Sequence, residues 1–144
     1  MSGEIISVFT EKYDCLQRKL LNSAVVEFGN SFYPVKAQWD TGATGTCISK
    51  QLVEKMNLVP TGHMKVQTPS GTGLMNTYVI NLILNNEVRI LELQVMDSEI
   101  GSQGIDILIG MDVISFGDFA VSNYGGHTQF SFRIPSQEHV EYTR

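Results

Sequence analysis

Several things are scarce in this sequence, and each scarcity closes a class of function. No apolar run approaches the roughly 20 residues that a membrane-spanning helix needs, so no membrane partner is expected. The first twenty residues mix acidic and basic side chains where a secretory leader would need a longer apolar stretch. Nothing there directs the chain outward, and a cytoplasmic location is expected. Basic residues are also few: ten Lys and Arg against fifteen Asp and Glu give a net charge of -5. No basic stripe exists to hold phosphates, which argues against nucleic acid as a partner. The two cysteines, Cys15 and Cys47, fit neither a metal spacing nor a disulfide framework. They read as reduced thiols that pack as small apolar groups. His63, His127 and His139 have no ligand spacing, so neither a metal nor a cofactor is expected.

What remains is globular. Hydrophobic residues make up 42% of the 144 and charged ones 17%, enough apolar material for one ordinary domain with a real core. We read residues 1–144 as a single domain, with 1–18 and 136–144 as terminal arms that dock on the body or on a partner, because both stretches pattern poorly.

Strand patterns dominate the body. In AVVEF, Ala24, Val26 and Phe28 share a face, and Gly29-Asn30 offers a turn into FYPVKAQWD, with Pro34 near the start of the returning strand. Tyr78, Ile80, Leu82 and Leu84 alternate with Val79, Asn81 and Ile83 before a turn at Asn85-Asn86. Phe130, Phe132 and Ile134 alternate with polar neighbours late in the chain. Helical signals are few: Ser49 is a candidate N-cap for KQLVEKM, and a single turn fits MDVI after Gly110. Many short strands with one or two short helices predict an all-β, closed or nearly closed barrel.

The stretch WDTGATGTCIS carries the chemical question. Asp40 ends a strand and is followed by Thr41, whose hydroxyl is small, and by Gly42, which permits a sharp turn and a close approach by another backbone. An ordinary Asx-type turn is the default for such a triplet. Two further features sit in order behind it. TPSGTGLMNTYVI places a Gly-rich tip, Ser70, Gly71, Thr72 and Gly73, between strand-like arms, as in a projecting hairpin. ILIG, with Leu108 and Ile109, is an apolar strand that stops at Gly110.

In this order and spacing the sequence resembles the retropepsin-like aspartic proteases, in their cellular and bacterial branch, over roughly residues 20–134. The matching pieces are WDTGATGTCIS, PSGTG and DILIGMDVI. The resemblance implies an acid-protease-type barrel with a flap hairpin, half of a two-fold dimer. Asp40, Thr41 and Gly42 would be catalytic, and Gly42, Ala43, Ser70, Gly71, Thr72, Gly73 and Leu108 would meet an extended peptide substrate. No second Asp-Thr-Gly or Asp-Ser-Gly occurs: Asp97, Asp106, Asp112 and Asp118 have other neighbours. A shared site therefore requires Asp40 from each of two copies, and the expected partner is a second copy of the chain. A non-catalytic peptide-binding or dimerisation module of the same fold is the main alternative. An unrelated β-domain is a third.

The chain departs from the retroviral pattern at two positions. Thr44 and Met111 stand where the family usually has an Asp and an Arg that pair near the dimer interface. Ala43 offers no hydroxyl to the carboxylate, so a milder pH optimum than that of gastric-type enzymes is expected. Trp39 is expected to pack in the core, and Leu108 fits core and cleft equally. Asp106 and Asp112 suit a turn and a helix cap.

Overall fold

The computed structural model describes residues 5–143. Its strands are β1 (Ser7–Lys12), β2 (Leu20–Phe28), β3 (Ser31–Trp39), β4 (Cys47–Ser49), β5 (Gly62–Thr68), β6 (Gly71–Ile83), β7 (Arg89–Ser98), β8 (Ile107–Ile109), β9 (Asp118–Ser122) and β10 (Gln129–Ile134). Two short helices, α1 (Lys50–Met56) and α2 (Met111–Ile114), follow β4 and β8. No helix is long and apolar enough to cross a membrane among these residues.

Local rules account for the elements nearest the site. Phe28 pairs with Ser31, leaving Gly29-Asn30 as a two-residue turn, and Gly29 takes a φ of +59° that favours glycine. Pro34 lies on the stretch of β3 that pairs with β2 alone, because β8 joins β3 only from Ala37 onward, so its missing N–H costs no ladder bond. Ser49 caps α1 as expected: its Oγ accepts from the Leu52 N–H at 3.1 Å. Leu52 and Met56 then turn inward, and Asn57 ends the helix in the left-handed region.

Six strands run in the order β2-β3-β8-β4-β7-β6, and β2 pairs with β6 to close them into a barrel. Closure removes the open edges that a flat sheet of short strands would expose. One device assists it on β6. The β6–β7 register shifts between Ile80 and Leu82, and Asn81 spans the irregularity, accepting from the Glu92 N–H at 2.8 Å and donating to Glu27 at 2.9 Å. The barrel core holds Val26, Ile48, Leu82, Val88, Val95, Ile107, Ile109 and Val113, all fully buried.

A second sheet, β1-β10-β9, lies against the barrel. Phe9, Phe130 and Phe132 are buried beneath it and surround Trp39, with ring centroids at 5.9, 5.4 and 5.1 Å, while Phe119 stacks on Trp39 at 5.5 Å. Trp39 is therefore a core residue. Burying such a ring stabilises the fold by about 3–5 kcal/mol relative to alanine, and it fixes the backbone immediately before Asp40. Part of the N-terminal arm thus docks on the same chain: β1 pairs along its whole length with β10. At the other end Ser136 and Gln137 are held by Asp118. Residues 1–4 and 144 of the expected arms lie outside the described residues.

Candidate active site

The position of β8 explains the loop that carries Asp40. β3 and β4 follow one another in sequence, yet β8 lies between them, parallel to β3 and antiparallel to β4. The connection, residues 40–46, must therefore pass over the end of β8, where Gly110 sits. A Cβ on Gly110 would lie 2.8 Å from the Ala43 carbonyl oxygen and 2.9 Å from that of Gly45, so only glycine lets the two chains cross.

Main-chain hydrogen bonds hold the crossing. The Asp40 N–H donates to the Ile109 carbonyl at 2.9 Å and extends the β3–β8 ladder by one step. The Met111 N–H donates to Ala43 at 2.8 Å, and the Asp112 N–H to Thr44 at 3.2 Å. Met111 is thus tied to Ala43, and Asp112 to Thr44, through backbone, in a place where the sequence offers no ion pair. Asp112 adds a side-chain clasp: Oδ1 accepts from the buried Thr46 hydroxyl at 2.7 Å and Oδ2 from the Thr46 N–H at 3.0 Å. Thr46 Oγ1 in turn accepts from the Gly110 N–H at 3.2 Å.

Asp40 itself is half-buried, and its Oδ1 accepts from the Gly42 N–H at 2.8 Å. Its other carboxylate oxygen takes no hydrogen bond among the described residues. Thr41, Gly42 and Thr44 are exposed, Ala43 half-buried. The expected loop residues therefore lie together, with one oxygen of Asp40 oriented by backbone. Leu108, on β8, is half-buried on the face opposite Ile107 and Ile109, so the strand supplies core on one side and a surface beside the loop on the other.

The second expected group stands apart in sequence. Thr68 pairs with Gly71, so the turn of the β5–β6 hairpin is Pro69-Ser70, one step earlier than the Gly-rich tip read from sequence. Gly71, at φ +127°, and Gly73 belong to β6. Lower on the hairpin, Met64 lines a cavity of about 360 Å³ with Thr44, Gly45, Thr46, Gln94, Met96 and Asp112. The base of the hairpin thus flanks the loop. A larger cavity, about 500 Å³, lies between Ile5, Arg89, Phe116 and Pro135 and contains none of the candidate residues.

The other candidates take structural places. Burial, reinforced by Asp112 and Asp97, pushes the Cys47 thiol above its ordinary value and so away from nucleophilic use. His63 pairs with Asn76 on the hairpin surface, at 2.8 Å. Asp106, just before β8, pins that strand to β3 and does not brace a turn: its carboxylate accepts from the Lys36 N–H at 2.8 Å. Two contacts had no signal in the sequence. Asn22 accepts from the Trp39 indole N–H at 3.0 Å, and the clasp of Asp112 on Thr46 spans 66 residues. Asp112 does bond the adjacent Val113 N–H, but the helix cap is Gly110, and its carboxylate works chiefly across to the loop.

Comparison with known proteins agrees with this geometry. The profile of a family described as aspartyl protease matches residues 24–113. A retropepsin-like aspartic protease from Rickettsia conorii has a similar structure, with a TM-score of 0.61 at 16% identity over 93% of this chain and 99% of that one. EIAV protease, solved with the inhibitor HBY-793, gives a TM-score of 0.53 at 12% identity, covering 69% and 88% of the two chains. No curated protein matches the sequence. At these identities the structures establish the fold, and the profile establishes the family. The chain belongs to the aspartyl protease family and carries the retropepsin-like fold.

Proposed function

We propose that this protein is a cytoplasmic aspartic endopeptidase that works as a homodimer, with Asp40 of each copy forming the catalytic dyad. One observation carries the reading: the loop holds a single half-buried carboxylate with one oxygen fixed by the Gly42 N–H and the other unengaged. The exposed Thr41 and Gly42 allow a second copy of the loop to approach.

Two carboxylates brought within a few ångströms across a two-fold axis cannot both ionise cheaply, so they share one proton. The ionised member takes a proton from a water held between them. The protonated member donates to the scissile carbonyl oxygen. Attack gives a tetrahedral gem-diol with no covalent bond to the protein, and collapse releases the amine with the transferred proton. The Thr41 hydroxyls reach across the axis and lock the loops. Gly42 and Ala43 bind the extended substrate backbone beside the loop, and the β5–β6 hairpin, through Ser70, Gly71, Thr72 and Gly73, closes over it as a flap. Leu108 lines the cleft.

The test is cleavage of a denatured protein mixture between about pH 4 and 7 by wild type and Asp40→Asn side by side. Asn keeps the shape and removes the titratable group. Loss of cleavage in the variant alone is the expected result. Cleavage retained by Asp40→Asn would refute the reading, and no cleavage by either protein would favour a peptide-binding module.

A further inference from the structure

The β5–β6 hairpin leaves the barrel at one point. The β6–β7 ladder starts with Thr77 opposite Met96, and from Asn76 back to the turn β6 pairs with β5 alone. Past Met96, β7 continues through Asp97 and Ser98 on β4. Asp97 stands at this parting. It is buried on the same side of β7 as Leu93 and Val95, where an apolar residue would suit the core. Its two oxygens are divided: Oδ1 accepts from the Asn76 N–H at 3.2 Å, and Oδ2 from the Tyr78 hydroxyl at 3.3 Å. The carboxylate thus carries the hydrogen bonding of the sheet one residue into the hairpin arm, where the main chain of β7 no longer does. The preceding residue serves the loop. The Met96 N–H donates to the Thr46 carbonyl at 3.2 Å, at the end of the segment that carries Asp40. Two consecutive residues of one strand therefore hold the loop and the base of the hairpin.

We infer that Asp97 is a positioning residue for peptide binding: by fixing where the hairpin leaves the barrel, it sets the hairpin over the substrate at Asp40. This rests on the aspartic endopeptidase reading, in which the hairpin is the flap. The arm from Thr77 to the turn at Ser70 acts as a lever. At about 3.3 Å per residue it is roughly 23 Å long, so a swing of about 5° at its base moves the tip by about 2 Å. Displacements of that size separate a gripped peptide from a loose one. Because the grip acts before and during the chemical step alike, its loss raises KM and leaves kcat largely unchanged.

The experiment uses the full chain and a peptide containing a site that wild type cuts in a denatured protein mixture. Asp97→Ala should raise KM about tenfold, the worth of one buried hydrogen bond. Asp97→Asn, whose side-chain oxygen still accepts from Asn76, should keep KM within about twofold of wild type. Asn76→Pro removes the donor while leaving the Asp97–Tyr78 bond in place, and should match Asp97→Ala; it also carries the test if Asp97→Ala does not fold. A role confined to stability would lower the amount of active protein, and with it the apparent kcat, at an unchanged KM. A wild-type KM in folded Asp97→Ala or Asn76→Pro therefore overturns the inference and leaves the endopeptidase reading standing. So does an Asp97→Asn protein as impaired as Asp97→Ala. A wild type that cuts nothing in the mixture, under conditions where a folded dimer is present, sinks the endopeptidase reading and this inference with it.

Discussion

Thr46 and Asp112 clasp one another twice, hydroxyl to Oδ1 at 2.7 Å and backbone N–H to Oδ2 at 3.0 Å, and so bind the end of the Asp40 loop to helix α2. The same threonine oxygen accepts from Gly110 at the chain crossing. A single buried hydroxyl therefore joins three segments that meet beneath the loop.

Thr46→Val keeps the shape and removes the hydroxyl. It leaves the Gly110 N–H without its partner and Asp112 Oδ1 with the Val113 N–H alone, and the expected loss of stability is about 1–3 kcal/mol by urea denaturation. Because small displacements of reacting groups cost up to about a hundredfold in rate, kcat should fall more than the folded fraction does. A variant that is less stable yet has wild-type kcat would reduce the clasp to a purely structural role.

Gly73 tests the hairpin. A Cβ there would sit 3.9 Å from Val66, an ordinary contact, and the backbone takes no left-handed conformation. The fold has room for a methyl group here, and under the proposed flap role the peptide backbone is what would approach it. Gly73→Ala should leave stability within about 0.5 kcal/mol and lower kcat/KM by hindering backbone contact with the peptide. Unchanged cleavage would mean that the substrate does not approach β6 closely at this point.

Asp118 tests the C-terminal segment through pH. Its carboxyl is held well below the usual range, first by the Gln137 N–H, then by the Ser136 hydroxyl and Arg133. A depressed folded pKa gives stability that is fully present above the unfolded value, near 3.9, and lost as pH falls towards the folded one. Asp118→Asn should therefore be destabilised by the same amount at pH 7 and 5, with the gap to wild type narrowing below about pH 4. A gap that closes already between pH 7 and 5 would contradict this assignment.

The residues that organise short segments were legible in the sequence, because their partners are near. Ser49 caps a helix three residues on, Gly29 turns between paired strands, and Phe130 and Phe132 declare a buried face by alternation. Asp40 stood out because strand, acid, hydroxyl and glycine are contiguous. Pairings across long separations were not legible. SVFTEK carries no signal that it will pair with residues 129–134, since the reason lies in the aromatic layer around Trp39. Nor does the sequence say that β8 enters between β3 and β4, which is what makes Gly110 necessary and gives Asp112 its partner. The hairpin turn was misplaced by one step because glycines mark the approach to a tip as readily as the tip itself.

The central claim is that one site is built from two copies of Asp40. It is tested most directly by co-refolding wild type with Asp40→Asn at fixed total concentration and measuring cleavage across mixing ratios. A shared dyad requires both partners to be wild type, so an equal mixture should retain about one quarter of the wild-type rate, following the square of the wild-type fraction. A linear decline, with about half the rate at equal mixing, would mean that each chain cuts alone and would contradict the account.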